Sequence, residues 1–210
     1  MTNDELAEYL VSVRDYYERR LRSHGPTAQG VDWNGTESQV LRFRQLTRLV
    51  DVHGASSLND YGCGYGALLD FLVSCGDAPR YTGYDISPDM LAAAAALHPP
   101  TTRVSYVAST AELPAADFTV ASGVFNVRLE APEGRWAAYV ERSLDEMARV
   151  SSGAFAFNML TSYSDPDRMR PHLFYADPGA YFELCKRRYS RNVALLHDYD
   201  LFEFTIVVRM

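Results

Sequence analysis

The segment Leu58-Asn59-Asp60-Tyr61-Gly62-Cys63-Gly64-Tyr65-Gly66-Ala67-Leu68-Leu69 constrains this chain more than any other. A short apolar run enters three glycines in alternate positions and leaves as a leucine-rich helical pattern. Such glycines let another molecule approach the backbone, and a helix opening behind them presents unpaired N–H groups to it. The runs RYTGYD, RVSYVAS, DFTVASG and GAFAFNM follow, separated by helical segments at SPDMLAAAAALH and 133–149. Short apolar runs alternating with helices predict βαβ units and a parallel sheet. After a further helix at 178–187, the last two runs, SRNVALL and LFEFTIVVR, are separated only by HDYD. That link is too short for a parallel crossover, so the final strand must return antiparallel.

Ahead of this pattern, Leu6, Tyr9, Leu10, Val13, Tyr17 and Leu21 recur at three- and four-residue spacing and predict an amphipathic helix over 4–22. HGPTAQGVDWNG then reads as loop, and Thr36 with Glu37 opens a second helix expected to run to about Val52. The organisation expected is an N-terminal helical lid, 1–54, on a ligand-binding domain, 55–210. With 47% hydrophobic and 22% charged residues, the chain is neither disordered nor fibrous. A net charge of -7 disfavours nucleic acid and anionic membranes as partners and favours small molecules. The acidic start MTNDELAEYL does not read as a signal peptide, and no apolar run is long enough to span a membrane. Cys63, Cys75 and Cys185 form neither an even disulfide framework nor a CxxC pair. The expectation is a cytoplasmic protein with free thiols and no metal.

The second strand run ends in Asp85, 19 residues after Gly66, where a carboxylate can accept both hydroxyls of a ribose. Two ligand classes fit. Gly62, Gly64 and Ala67 satisfy the GxGxxA dinucleotide fingerprint, which would make the chain an NAD-dependent oxidoreductase. Asp60, two positions before the first glycine, suits an ammonium group better than a pyrophosphate.

The segments DYGCGYG, YTGYDISPDML, STAELP and DFTVASGVF resemble, in order, the motifs of class I S-adenosylmethionine-dependent methyltransferases, and the resemblance spans about 55–210. It implies a Rossmann-like, doubly wound α/β fold whose seven-stranded sheet has the order 3-2-1-4-5-7-6, the last strand antiparallel. It also implies that S-adenosylmethionine is held by Asp60, Gly62, Cys63, Gly64 and Gly66. Asp85 would take the ribose, Ile86 and Met90 would flank the adenine, and Ser122 would line the site after the fourth strand. Where the family often has Asp at the adenine-contacting turn, this chain has Ser109, which moves that contact toward Thr110 and Ala111. The activity implied is methyl transfer to oxygen or nitrogen of a small molecule or metabolic intermediate, with S-adenosylhomocysteine as product. A protein that binds the donor without turnover is the remaining alternative. No Asn-Pro-Pro-Tyr or Asp-Pro-Pro-Tyr follows the fourth strand, so a nucleic-acid base is a poor acceptor.

In an open parallel sheet, ligands bind beyond the carboxyl ends of the strands. This points to Asn126 after the fourth strand, Asn158 with Tyr163 and Tyr175 after the fifth, and His197 after the sixth; with Trp33 of the lid, the first four form the expected acceptor site. Histidine is the best base near neutral pH, and His172 and His197 follow strand ends, so these two are the expected catalytic bases.

Overall fold

All seven apolar runs form strands in the computed structural model, which describes residues 3–49 and 57–210. They are β1 (Ser57–Tyr61), β2 (Arg80–Tyr84), β3 (Val104–Val107), β4 (Ala116–Ala121), β5 (Ser151–Thr161), β7 (Asn192–Leu196) and β8 (Glu203–Arg209). A further two-residue strand, β6 (Tyr175–Ala176), pairs with the end of β5 and has no signature in the sequence. The sheet order is β3-β2-β1-β4-β5-β8-β7. With β6 set aside, this is the expected order, and β8 runs antiparallel to both β5 and β7.

Helices cover both faces. Along β5, Phe155 and Phe157 point into one core while Ala154 and Ala156 point into the other, the period-two alternation of a sheet buried on both sides. On the first face lie α1 (Asn3–His24), α5 (Glu133–Val150) and α6 (Pro178–Arg188). Trp136, Val140, Leu144 and Met147 of α5, at three- and four-residue spacing, are at most 1% exposed. On the other face, α2 (Thr36–Thr47) and α3 (Ala67–Ser74) pack Leu46, Leu68 and Leu72 against Leu58, Val120 and Val207. The remaining helix, α4 (Pro88–Leu97), starts on Ser87, whose hydroxyl accepts from Met90 N–H at 3.2 Å, with Pro88 in the first turn.

The N-terminal helices form the expected lid. A 3-10 turn (Ala28–Val31) links α1 to α2, and Asp32 closes it in the left-handed region at φ 64°. Asp32 accepts from Tyr16 O–H at 2.6 Å and pairs with Arg20 at 3.0 Å, tying the linker to α1. Helix α2 ends at Thr47, short of Val52, because Arg48 N–H closes back onto Gln45 at 3.3 Å, a tighter turn than the helix. Val52, His53 and the expected boundary between 54 and 55 lie outside the described residues. No helix among the described residues is long and apolar enough to cross a membrane.

Candidate functional site

The site begins at the turn between β1 and α3. Gly62, Gly64 and Gly66 all have positive φ, 79°, 53° and 87°, so the spacing read from the sequence is a conformational requirement. A Cβ on Gly62 would stand 2.5 Å from Val124 Cγ2, so the turn is also packed against the end of β4. Gly66 is the residue from which α3 starts.

Asp85 closes this turn from the neighbouring strand. Its Oδ2 accepts from Gly64 N–H at 2.9 Å and its Oδ1 from Ser87 N–H at 2.8 Å, which fixes the carboxylate at the end of β2. Burial nevertheless pushes its pKa up to about 6. Asp60, 2% exposed, accepts from Tyr81 O–H at 2.7 Å, and burial raises it to about 7. A buried carboxylate, Asp60, and a half-buried one, Asp85, thus flank the glycine turn, placed for ammonium and hydroxyl donors. The Cys63 thiol is buried beside them and pushed well above its ordinary range, so it is a small packing group and not a nucleophile.

Gly62, Gly64, Asp85, Ile86, Met90 and Ser122 together line a cleft of about 700 Å³, including its open mouth, at the carboxyl ends of β1, β2 and β4. Asp60 and Cys63 line a smaller recess that shares Gly62, Gly64 and Ser122 with it. The Ser122 hydroxyl is buried and has no hydrogen-bond partner among the described residues. The opposite wall comes from Leu10, Val13 and Tyr17 of α1. Their periodicity marked that face as buried, but not that it covers a cleft. Thr110 and Ala111 belong to a 3-10 turn (Thr110–Glu112) that Ser109 caps, its hydroxyl accepting from Ala111 N–H at 3.3 Å, and all three stand outside the lining of this cleft.

A second, more polar cleft of about 1190 Å³ adjoins the first, and Trp33, Tyr17, Val31 and Gly123 belong to both. Trp33 lies over Gly123 so closely that a Cβ there would be 2.2 Å from Cζ2 of the indole. The Arg42 guanidinium also stacks on Trp33, 3.8 Å from a ring centroid. Arg42 is held in turn by Glu203: Nε donates to both carboxylate oxygens at 2.9 Å and Nη2 to Oε1 at 2.5 Å. Asn158 Nδ2 donates to the same carboxylate at 2.6 Å, while its Oδ1 accepts from Gly123 N–H at 2.7 Å. A buried chain of polar contacts thus runs from Gly123 through Asn158, Glu203 and Arg42 to Trp33 and back to Gly123. Sequence reasoning missed Glu203, and nothing marks it within LFEFTIVVR.

Of the expected acceptor residues, Trp33, Asn126 and Tyr175 line the second cleft. Asn158 is 0% exposed and lines none of the three, its side chain spent on the buried network. Tyr163 is 74% exposed and packs its ring on His197, away from the clefts. Neither expected base lines a cleft. His197 sits at the correct edge of the sheet, but just past the end of the outermost strand; three strand spacings of about 4.8 Å put β7 roughly 14 Å from β4. His172 is half-buried, its carbonyl accepting from Arg128 N–H at 3.0 Å and Leu129 N–H at 2.9 Å.

A family model described as a methyltransferase domain matches residues 59–152, from β1 into β5. The protein of Mycobacterium tuberculosis (strain ATCC 25618 / H37Rv) named "Putative methyltransferase Rv1506c" is 51% identical over 162 residues, which is 77% of this chain and 98% of the relative. Among solved structures, magnesium protoporphyrin IX methyltransferase (ChlM) from Synechocystis PCC 6803 with bound SAH is 14% identical, covers 99% of each chain and has a TM-score of 0.64. The N-methyltransferase NodS from Bradyrhizobium japonicum WM9, in complex with S-adenosyl-L-homocysteine, is 16% identical, covers 93% of this chain and 97% of its own, with a TM-score of 0.60. At these identities the two structures share the fold.

Proposed function

This chain belongs to the class I S-adenosylmethionine-dependent methyltransferases, and from that premise we propose that it methylates a small molecule at oxygen or nitrogen, the first cleft holding the donor and the second the acceptor. The observation that carries this reading is the junction of two clefts at Trp33 and Gly123: one has a ribose-suited carboxylate at a glycine turn, the other is polar and open. The donor fits the residues present. Asp85 would accept the ribose hydroxyls, Ile86 and Met90 would enclose the adenine, and Asp60 with the Gly62–Gly64 backbone would meet the amino-acid end. The unpartnered Ser122 hydroxyl supplies one more hydrogen-bonding group where a ligand would need it.

When bound, S-adenosylmethionine supplies an electrophilic methyl group on a sulfonium, which a lone pair of the acceptor takes in line as the carbon–sulfur bond breaks. The protein's part is positioning: it brings two reactants to one junction and excludes water there. Tyr17 and Val31 of the lid, with Trp33, form the roof shared by both clefts. Because neither His172 nor His197 lines a cleft, the reading gives them no contact with the reacting atoms, and a proton released from the acceptor leaves through the open second cleft. No feature of either cleft calls for nucleic acid, and the three free cysteines suit a reducing, cytoplasmic setting.

Calorimetric titration of the protein with S-adenosylmethionine, S-adenosylhomocysteine and NADH, side by side, tests the donor assignment. Binding of the two sulfur nucleosides and not NADH is expected; binding of NADH alone would overturn it.

A further inference from the structure

We propose that the methyl acceptor carries an anionic oxygen group, a carboxylate or a phosphate, bound by Asn126, Tyr175 and Arg170. This rests on the reading of the second cleft as the acceptor site. Asn126 is 5% exposed, and its Oδ1 accepts from Leu160 N–H at 3.1 Å. A backbone N–H can only donate, so the amide is fixed with its oxygen on Leu160. Its nitrogen is left without a hydrogen bond among the described residues, in a side chain that lines the cleft. That amide nitrogen opens onto the cleft, where a ligand can accept from it.

The other groups around the cleft point the same way. The Tyr175 hydroxyl accepts from Arg170 N–H at 3.0 Å, which leaves its own hydrogen free to donate. The Arg170 guanidinium reaches only the carbonyls of Asp167 and Met169, both at 3.3 Å, and pairs with no carboxylate among the described residues. The two carboxylates in the lining are already engaged: Glu203 by Arg42 and Asn158, Asp32 by Tyr16 and Arg20. Arg170 is therefore the one charged group of the lining without an opposite partner among the described residues, since Arg168 pairs with Asp165; the exposed Asn34 amide adds a neutral donor and acceptor. A cationic acceptor would meet repulsion and no free carboxylate; an anion would meet a guanidinium whose planar fork matches its oxygens.

The test uses the whole protein saturated with S-adenosylhomocysteine and three matched pairs of probes: benzoate and benzamide, indole-3-acetate and indole-3-acetamide, phenyl phosphate and phenol. Binding is followed by ligand-observed NMR. At least one anion should bind about tenfold more tightly than its neutral partner, as a charge-assisted contact gives. Arg170→Gln should remove most of that preference, and Arg170→Lys should keep part of it. Arg170 is exposed, so these variants fold. Whether the carboxylates or the phosphate lead identifies the group. Equal affinities within every pair, no binding of any probe, or a preference untouched by Arg170→Gln would each overturn the proposal. Failure to bind S-adenosylhomocysteine at the outset would defeat the methyltransferase reading itself; binding it without anion preference would defeat only this proposal.

Discussion

Glu203→Gln is the sharpest probe of the network beneath Trp33, because every neighbour of that carboxylate is a donor. Arg42 Nε and Nη2 and Asn158 Nδ2 all converge on it, at 2.5 to 2.9 Å. Glutamine offers one acceptor oxygen, and its NH₂ must then face a donor. The substitution also leaves the Arg42 guanidinium, 5% exposed, without its counter-charge in a site whose other member is 1% exposed. Breaking one side of a buried ion pair costs about 3–5 kcal/mol. For a domain of this size, about 2–4 °C per kcal/mol translates that into a fall in Tm of roughly 6–20 °C. Circular dichroism melts of the wild type, Glu203→Gln, Arg42→Met and the double variant would measure it. The double variant should melt well above either single one, since removing both charges leaves neither stranded. A single-variant Tm within about 2 °C of wild type, less than 1 kcal/mol, would refute the buried pair.

Asp85→Ala should weaken S-adenosylhomocysteine by about 1–3 kcal/mol through loss of charge-assisted contacts to the ribose, and calorimetry showing unchanged affinity in a folded variant would remove Asp85 from the donor site. Burial raises Asp60 to about 7 and Asp85 to about 6, so the protonated forms favour the unliganded fold: that contribution is complete at low pH and fades as pH rises through 6 and 7. Donor affinity should run the opposite way, strengthening from pH 5.5 to 8 with proton release, which titrations in buffers of different ionisation enthalpy would detect; a pH-independent affinity contradicts it. Gly123→Ala adds a Cβ 2.2 Å from the Trp33 indole at a φ of 73°, and should lower the Tm and expose Trp33 to acrylamide quenching. His172→Ala and His197→Ala should leave turnover far above the ~10²–10⁴-fold loss expected for a general base, and a loss of that size would return the residue to the reaction.

Most of the fold was legible because it depends on local pattern. The strand–glycine–helix unit at 58–69 needs its three positive-φ positions wherever it sits, and HDYD is too short for any connection but an antiparallel return. Strand β6 was not legible: two residues cannot show a period, and they pair only because the chain returns past the end of β5.

The site divides along the same line. Much of the first cleft was readable because Gly62, Gly64, Asp85, Ile86 and Met90 cluster on two adjacent β–α turns, so nearness in the motif is nearness in space, whereas Ser109, Thr110 and Ala111, on the turn after β3, fall outside its lining. The second cleft is assembled from segments far apart in the chain. Arg42 and Glu203 are 161 positions apart, and a charged residue opening an apolar strand looks like a solvated end until α2 is laid over it. Asn158 shows the converse: a polar residue at a strand end is a fair functional signal, yet both ends of its amide are consumed inside the protein. His197 shows what the strand-end rule lacks, since it selects an edge of the sheet but carries no lateral coordinate, and the outermost strand satisfies it as well as the strand beside the cleft. Helix α1 makes the point from the apolar side. Its periodicity gives the direction in which Leu10, Val13 and Tyr17 face, and only the topology decides whether that direction meets a packed core or the open end of β1, β2 and β4.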